Sequence, residues 1–173
     1  MYGGKKCDFV VNLSAKAVFL SQFGDQGVNR LSEYTLMGTY NQSMDAKGRM
    51  SFPVRLREII GERFIITRGI DGCLFVYSPE EFKAKADKLK GLPMAKARKM
   101  QRSFTGWAQE VEADKQGRVL VPLALREQAG LEKDVVVVGV SDRCEIWDKK
   151  RWESFNADID DEELMSALEG LDF

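Results

Sequence analysis

The sequence predicts a mixed fold, mainly β with short helices, in which two similar units close into a small barrel with pseudo-twofold symmetry. Its 173 residues suffice for one domain or for two small half-domains that share a core. An internal repeat covers much of this length. Within the repeat, apolar residues alternate in runs too short to bury both faces of a strand alone. Two units are therefore expected to pack around one common core.

The internal repeat is visible without gaps over its first part. Residues 45–61 align with residues 114–130 at a shift of 69 positions, with eight identities in 17 positions, where chance would give about one. After one additional residue the match resumes, with Gly69 aligned to Gly139 and Tyr77 to Trp147. The chain is therefore expected to contain two copies of a unit of roughly 45 residues.

Each unit is predicted to begin as a hairpin. Apolar and polar residues alternate over residues 40–44 and 107–113, which is typical of a strand. A type I turn follows in each unit, because Asp is favoured at the first position of such a turn and Gly at the fourth. A second, very short strand comes next, over residues 50–52 or 119–121.

Each unit is predicted to continue with a helix and two further strands. The helix begins after a proline and ends at a glycine, over residues 53–61 and 122–130. Leu56, Ile59 and Ile60 have the spacing of a buried helix face. The closing strands are predicted over residues 64–67 and 73–77 in the first unit and residues 135–140 and 144–147 in the second.

The repeat suggests five segments along the chain. The part before it contains no repeat-like motif; Met37 is expected to be the natural initiator, and the alternative is a genuine arm. Helices are predicted over residues 79–90 and 93–104, and an acidic amphipathic helix near the end carries Leu164, Leu168 and Leu171 as a narrow stripe. The expected segments are residues 1–36 as an N-terminal extension, 37–91 as the first repeat with its following helix, 92–106 as a basic helical connector, 107–155 as the second repeat and 156–173 as an acidic C-terminal helix.

The absence of histidine and the small number of cysteines exclude several classes of catalytic and metal site. The chain has no histidine, which excludes Ser–His and Cys–His nucleophile pairs and histidine-ligated zinc. Cys7, Cys73 and Cys144 are too few for a disulfide framework or a four-thiolate site, and the last two are expected to be buried small hydrophobes. An enzyme would need paired carboxylates in a pocket, whereas the acidic residues cluster in turns and in the terminal helix. No catalytic residue, metal or cofactor is predicted.

The charge is unevenly distributed along the chain. The formal net charge is −1, yet residues 37–128 hold 17 basic against 11 acidic residues, and residues 129–173 hold 5 against 13. A polyanion would be attracted to the basic part and repelled by the acidic tail, although the same charges also suit an ordinary solvated surface. No run approaches the roughly 18 apolar residues of a membrane span and no secretory signal is visible, so the protein is expected to be cytosolic.

Two Asp-x-x-x-Arg motifs carry a resemblance to a known family. Asp45 with Arg49 and Asp114 with Arg118 are each followed by a strand, a proline and Leu-Arg-Glu. This pattern resembles the MraZ family of bacterial transcriptional regulators, which is related to AbrB-type swapped-hairpin barrels. The resemblance extends from Met37 to about residue 161, and it includes Gly-Trp-Ala before the second unit and Glu-Ile-Trp-Asp after it.

The resemblance implies a fold, an assembly and a function. Each repeat would form half of a double-hairpin barrel, and copies of the chain would assemble into a closed ring. The ring would bind short repeated boxes in double-stranded DNA upstream of the gene cluster for cell division and cell-wall synthesis, mainly as a repressor associated with the nucleoid. Neither a membrane nor a small-molecule substrate is expected as a partner.

The resemblance also assigns DNA contact to the two turns. Arg49 and Arg118 inherit that assignment, since an arginine can bind a phosphate or donate to both O6 and N7 of guanine. Gln116 stands where the first turn has Lys47, so the first turn is expected to bind more strongly. The other residues of the two turns that belong to the predicted site are Asp45, Asp114, Gly48, Gly117 and Lys115.

Alternatives remain open at this point. From spacing alone, Asp45 and Arg49 equally suit a pair that fastens the hairpin without contacting DNA. Arg57 and Arg126 each stand beside a Glu and are expected to form local ion pairs. Arg55 has Ala124 as its repeat partner and is a weak DNA candidate. A basic stretch in the second connecting helix is expected to be a solvated face or a phosphate contact; its residues are Arg98, Lys99 and Arg102.

A second function hypothesis comes from a different class of protein. The chain would be a ring-forming or antitoxin-like interaction module whose acidic C-terminal helix engages a protein partner. AbrB-type folds serve in both settings, so the fold does not decide between them. DNA binding that depends on Arg49 and on salt would distinguish the two hypotheses.

Overall fold

The computed structural model describes residues 35–158 and Met165. Residues 1–34 of the predicted extension and most of the predicted acidic helix, with its leucine stripe, lie outside the described residues. The mixed fold is confirmed, with eight strands and five helices among the described residues. These are β1 (Leu36–Ser43), β2 (Arg49–Ser51), α1 (Val54–Ile60), β3 (Arg63–Arg68), β4 (Leu74–Tyr77), α2 (Pro79–Lys90), α3 (Met94–Phe104), β5 (Gln109–Glu112), β6 (Arg118–Leu120), α4 (Leu123–Ala129), β7 (Asp134–Ser141), β8 (Cys144–Asp148) and α5 (Lys149–Ala157).

The two repeats exchange strands. Six strands form one antiparallel sheet in the order β1-β7-β8-β4-β3-β5. The first strand of each repeat thus pairs with the third strand of the other, β1 with β7 and β5 with β3, and the last strands β4 and β8 meet in the middle. The remaining strands, β2 and β6, pair with each other as a separate two-stranded sheet, here called the ribbon. Each repeat is therefore incomplete without the other.

The prediction of a closed barrel is wrong in one respect. Among the described residues, β1 pairs only with β7 and β5 only with β3, so the six-stranded sheet has two edges. The second strand of each hairpin turns away to form the ribbon, apart from a single bridge between Met44 and Met50. The core is consequently enclosed between a sheet and a ribbon, and continuous hydrogen bonding around it is not seen.

The core lies between the ribbon and the inner face of the six-stranded sheet. Met50 and Val119 project into it from the ribbon, and Phe64 packs against Phe52 with ring centroids 4.7 Å apart. The short helices α1 and α4 add leucines in equivalent positions of the two repeats. Their prolines and glycines bound them as predicted, but Ile59 is 36% exposed, so the predicted buried face of α1 is reduced to Leu56 and Ile60.

Three helices cover the outer face of the same sheet. Tyr77 on β4 contacts Phe82 of α2 and Phe104 of α3, while Trp147 on β8 contacts Trp152 of α5. Because side chains alternate between the two faces of a strand, these helices lie on the side of the sheet opposite the ribbon. On α3, Ala97 is buried, whereas Met94 and Met100 are exposed. None of the described helices has the length and apolar character needed to cross a bilayer.

Substitutions on α4 test the position of the core. Leu125 is fully buried and Leu123 is 58% exposed on the same helix. We expect Leu125→Ala to lower the free energy of unfolding by about 2–5 kcal/mol, because it removes buried methyl groups and leaves a cavity. Leu123→Ala should change it by less than about 0.5 kcal/mol. Urea unfolding followed by tryptophan fluorescence measures both, and equal losses for the two variants would contradict this core.

Candidate nucleic-acid interface

The first turn is closed by the carboxylate of Asp45. Its Oδ1 accepts hydrogen bonds from the backbone N–H groups of Lys47 and Arg49, both at 2.9 Å. Its Oδ2 accepts a hydrogen bond from Nε of Arg49 at 2.8 Å and forms an ion pair with Nη2 at the same distance. Gly48 adopts a φ of +83°, which glycine enters without a steric penalty, and its N–H donates to the carbonyl of Asp45. The sequence Asp-Ala-Lys-Gly-Arg therefore encodes both the turn and the direction of its arginine.

The second turn repeats this geometry. Oδ1 of Asp114 accepts from the backbone N–H groups of Gln116 and Arg118 at 2.8 and 3.0 Å. Its Oδ2 accepts a hydrogen bond from Nε of Arg118 at 2.9 Å and forms an ion pair with Nη2 at 2.8 Å. Gly117 has a φ of +73°. The hairpin-fastening contact is thus present in both repeats.

Each arginine keeps donors for a further ligand. The side chain of Arg49 is 37% exposed and that of Arg118 is 36% exposed. The contacts with aspartate use Nε and one Nη2 hydrogen, which leaves both Nη1 hydrogens and the other Nη2 hydrogen available to donate. The fastening contact and a DNA contact are therefore compatible, since the aspartate fixes the guanidinium plane while its outer edge faces solvent.

Hydrogen bonding also fixes the charge state of the two aspartates. The backbone N–H of Arg49, followed by its guanidinium and the N–H of Lys47, lowers the pKa of Asp45 below its usual value of 3.8. The pKa of Asp114 is lowered in the same way, first by the backbone N–H of Arg118 and then by its side chain. Both carboxylates are ionised at neutral pH, so each offsets the charge of its own arginine.

The ribbon brings the two turns into one surface. Arg49 lies opposite Leu120 and Ser51 lies opposite Arg118, so these four side chains share the outer face while Met50 and its partner face the core. Backbone hydrogen bonds extend the pairing into the turns at both ends. They run from the N–H of Val121 to the carbonyl of Gly48 and from the N–H of Phe52 to the carbonyl of Gly117, each at 3.0 Å.

Other predicted cations occupy different places. Lys47 and Lys115 are exposed on the turns, beside the arginines. Arg55 is exposed on α1. The basic residues of α3 do not join the ribbon, because that helix lies on the outer face of the six-stranded sheet; they are Arg98, Lys99 and Arg102.

Two arginines that were expected to form local ion pairs reach across to the other repeat. Arg57 pairs with Glu62 at 3.5 Å rather than with its neighbour in sequence, and its guanidinium lies against Gly117. Arg126 lies in the same way against Gly48. Helix-local reasoning missed both contacts, although the repetition of a Gly and an Arg nine residues apart in both units was a visible signal.

The cysteines behave as expected. Cys73 and Cys144 are buried, and burial raises the pKa of each thiol to about 12, which keeps it protonated. Cys7 lies outside the described residues. Among the described residues, no group of three or more Cys, Asp or Glu side chains is arranged to hold a metal ion.

Comparison with known proteins gives a consistent match. A family model described as "MraZ protein, putative antitoxin-like" matches residues 35–103 and again residues 104–171. The transcriptional regulator MraZ of Thermoanaerobacter sp. (strain X514) is 51% identical over 140 residues, which cover 79% of this chain and 98% of the relative. The relative of the same name from Heliobacterium modesticaldum is 55% identical over 122 residues, which cover 69% of this chain and 85% of the relative. The relative of the same name from Acetivibrio thermocellus is 53% identical over 132 residues, which cover 75% of this chain and 90% of the relative. The two repeats inferred from the sequence are thus confirmed.

Removal of one guanidinium tests the turn geometry. We expect Arg49→Ala to raise the pKa of Asp45 toward 3.8 but not fully to it, because the two backbone N–H donors remain. Asp114 in the same protein should be unaffected and serves as the control. Since the folded pKa is lowered, the stabilisation of the turn is complete above pH 3.8 and is lost as the pH falls through the lowered value. Carboxyl ¹³C NMR titration measures both residues, and an unchanged Asp45 would contradict the pair.

Proposed function

The chain belongs to the MraZ family of transcriptional regulators, which are not enzymes, and we propose that it regulates transcription by binding double-stranded DNA through its two Asp-x-x-x-Arg turns. Arg49 and Arg118 supply the principal contacts. Lys47 and Lys115 add positive charge beside them. The binding sites are repeated boxes upstream of the gene cluster for cell division and cell-wall synthesis, where the protein acts mainly as a repressor in the cytoplasm, at the nucleoid.

The observation that carries this proposal is the placement of both arginines on the outer face of one ribbon. A two-stranded antiparallel ribbon has dimensions that the major groove of DNA admits. An arginine whose plane is fixed by a carboxylate loses little side-chain entropy when it binds, and its free edge presents parallel donors to a phosphate or to guanine. Asp45 and Asp114 therefore act as supports for the contact, and Gly48 and Gly117 let the backbone approach closely.

Repeated boxes suit a protein that presents the same surface many times. A single ribbon offers few contacts, so its affinity would be low. We propose that copies of the chain assemble into a ring, which presents several ribbons to successive boxes and raises the effective concentration of each after the first has bound. The outer edge of β1, at which no strand pairs among the described residues, is a surface that such an assembly could use.

A second candidate function follows from the match to the family model described as "MraZ protein, putative antitoxin-like". In that case the chain would bind a protein partner, and the acidic C-terminal segment, which the sequence predicts to be a helix, would supply the contact. DNA binding would then be absent or independent of the turns. The experiment that tests the first proposal also distinguishes this one.

The proposal is tested by measuring DNA affinity with one arginine removed from a turn. Fluorescence anisotropy of the full chain on the DNA upstream of its own gene, with scrambled DNA as the reference, gives Kd at several salt concentrations. We expect Arg49→Ala to weaken binding to the upstream DNA by about 1–3 kcal/mol if the arginine reads a base. If it contacts a phosphate, both DNAs should lose affinity and the salt slope should fall by about one unit.

The control removes the same charge elsewhere. Arg98 is exposed on α3, on the opposite side of the sheet, so Arg98→Ala should leave the affinity for the upstream DNA nearly unchanged. A folded Arg49→Ala variant that binds as tightly as the parent would refute the role of the turn. Equal losses for the two variants would indicate only a general effect of net charge.

A further inference from the structure

We infer that Arg126 and Arg57 are positioning residues for the DNA-contacting turns, each acting on the turn of the opposite repeat. Arg126, on α4 of the second repeat, supports the first turn at Gly48. Arg57, on α1 of the first repeat, supports the second turn at Gly117. This inference rests on the proposed function, because it concerns how the same turns are held for DNA.

The contact at the first turn is a close packing of a guanidinium on a glycine. A Cβ built on Gly48 would fall on the guanidinium of Arg126, 2.6 Å from both Nε and Nη1 and still nearer to Cζ. The planar group thus occupies the space in which any other residue would carry its side chain. Gly48 is buried although it lies in a surface turn, next to the exposed Lys47. Glycine is consequently required at this position twice, for its positive φ and for this contact.

The contact at the second turn is the reciprocal one. A Cβ on Gly117 would meet Nη1 of Arg57 in the same way, with Cζ 2.7 Å and Nη2 2.9 Å away. A positive φ alone does not mean that an arginine packs against the glycine, as Gly61 shows. Gly61 has a φ of +94°, and the nearest atom to its Cβ would be the carbonyl oxygen of Arg63 at 3.8 Å. Gly72, with a φ of +81°, also has an arginine against it, but Nη1 of that residue, Arg151, donates to its carbonyl at 3.0 Å. The contacts at Gly48 and Gly117 therefore depend on where the two arginines are placed and not on the positive φ.

The two contacts differ in charge. Arg57 is paired with Glu62 at 3.5 Å. Arg126 has no ion pair among the described residues, its Nε is buried without a hydrogen-bond partner there, and the nearby Glu132 is paired with Lys150 instead. Arg126 and Asp45 line one cavity of about 460 Å³. The guanidinium of Arg126 is therefore held beside the first turn by packing, with no ion pair among the described residues.

The crossed arrangement has a mechanical consequence. Each turn rests on a helix that belongs to the other repeat, so the direction of Arg49 depends on α4 and that of Arg118 depends on α1. Loss of one helix arginine should release only the turn that it contacts. A residue that merely stabilised the fold would affect both turns alike, since they share the ribbon and the core.

Double-mutant cycles test this crossed pattern. Arg126→Met and Arg57→Met keep most of the aliphatic stem and remove the guanidinium, and each is combined with Arg49→Ala and with Arg118→Ala in the full chain. Binding to the DNA upstream of its own gene is measured by anisotropy. We expect Arg126→Met to weaken binding by about tenfold alone and in the Arg118→Ala background, but by less than about twofold in the Arg49→Ala background. Arg57→Met should show the reverse dependence.

The outcomes separate this inference from the proposed function. If Arg49→Ala weakens binding but both Met variants add independently to it and to Arg118→Ala, the crossed positioning is wrong and the proposed function stands. If neither alanine variant weakens binding, both are overturned.

A measurement without DNA tests the inference even if a variant is destabilised, because it compares the two turns within one protein. Amide hydrogen exchange should accelerate over residues 45–49 in Arg126→Met and over residues 114–118 in Arg57→Met. Uniform acceleration in both turns would overturn the inference.

Discussion

The antiparallel pairing of β2 with β6 is the contact on which the rest of the structure depends. It is short, with three residues on each strand, yet it joins the two repeats directly after their turns. Its inner face contributes Met50 and Val119 to the core, and its outer face carries Arg49 and Arg118. Stability and the proposed DNA-contacting surface therefore share one element. A repeat alone would have neither a partner for its second strand nor a guanidinium beneath its turn.

The carboxylate in each turn resolves an apparent conflict. An acidic residue next to a nucleic-acid contact is electrostatically unfavourable, and Asp45 and Asp114 are both ionised at neutral pH. Each carboxylate nevertheless accepts three hydrogen bonds and forms an ion pair, and these contacts shape the turn and hold the arginine in one orientation. The electrostatic cost is offset by cations that are not fastened to these carboxylates, among them the exposed Lys47 and Lys115. In this account the aspartates orient the two arginines, and other residues provide the electrostatic attraction to DNA.

Local structure was predictable from the sequence because local residues determine it. The Asp and Gly of each turn, the prolines before α1 and α4, and the bounds of α2 all follow from rules that act within a few positions. Tertiary features were less accessible. The prediction of a closed barrel was wrong because closure depends on which strands pair, and not on how many strands there are. The contact of Arg126 with Gly48 was not predicted because the two residues lie far apart in sequence. Helix α5 was not predicted, although the repeat aligns it with α2 at a shift of 70 positions.

The central claim is that both turns contact DNA through the outer face of one ribbon. The most direct test is a structure of the full chain bound to the DNA upstream of its own gene, in which the distances from the guanidinium nitrogens of Arg49 and Arg118 to the nearest DNA oxygen or nitrogen are measured. The account predicts hydrogen-bond distances of about 3 Å for both arginines, with each aspartate still paired. DNA that lies against α3 on the opposite side of the sheet, with both turns facing solvent, would contradict it.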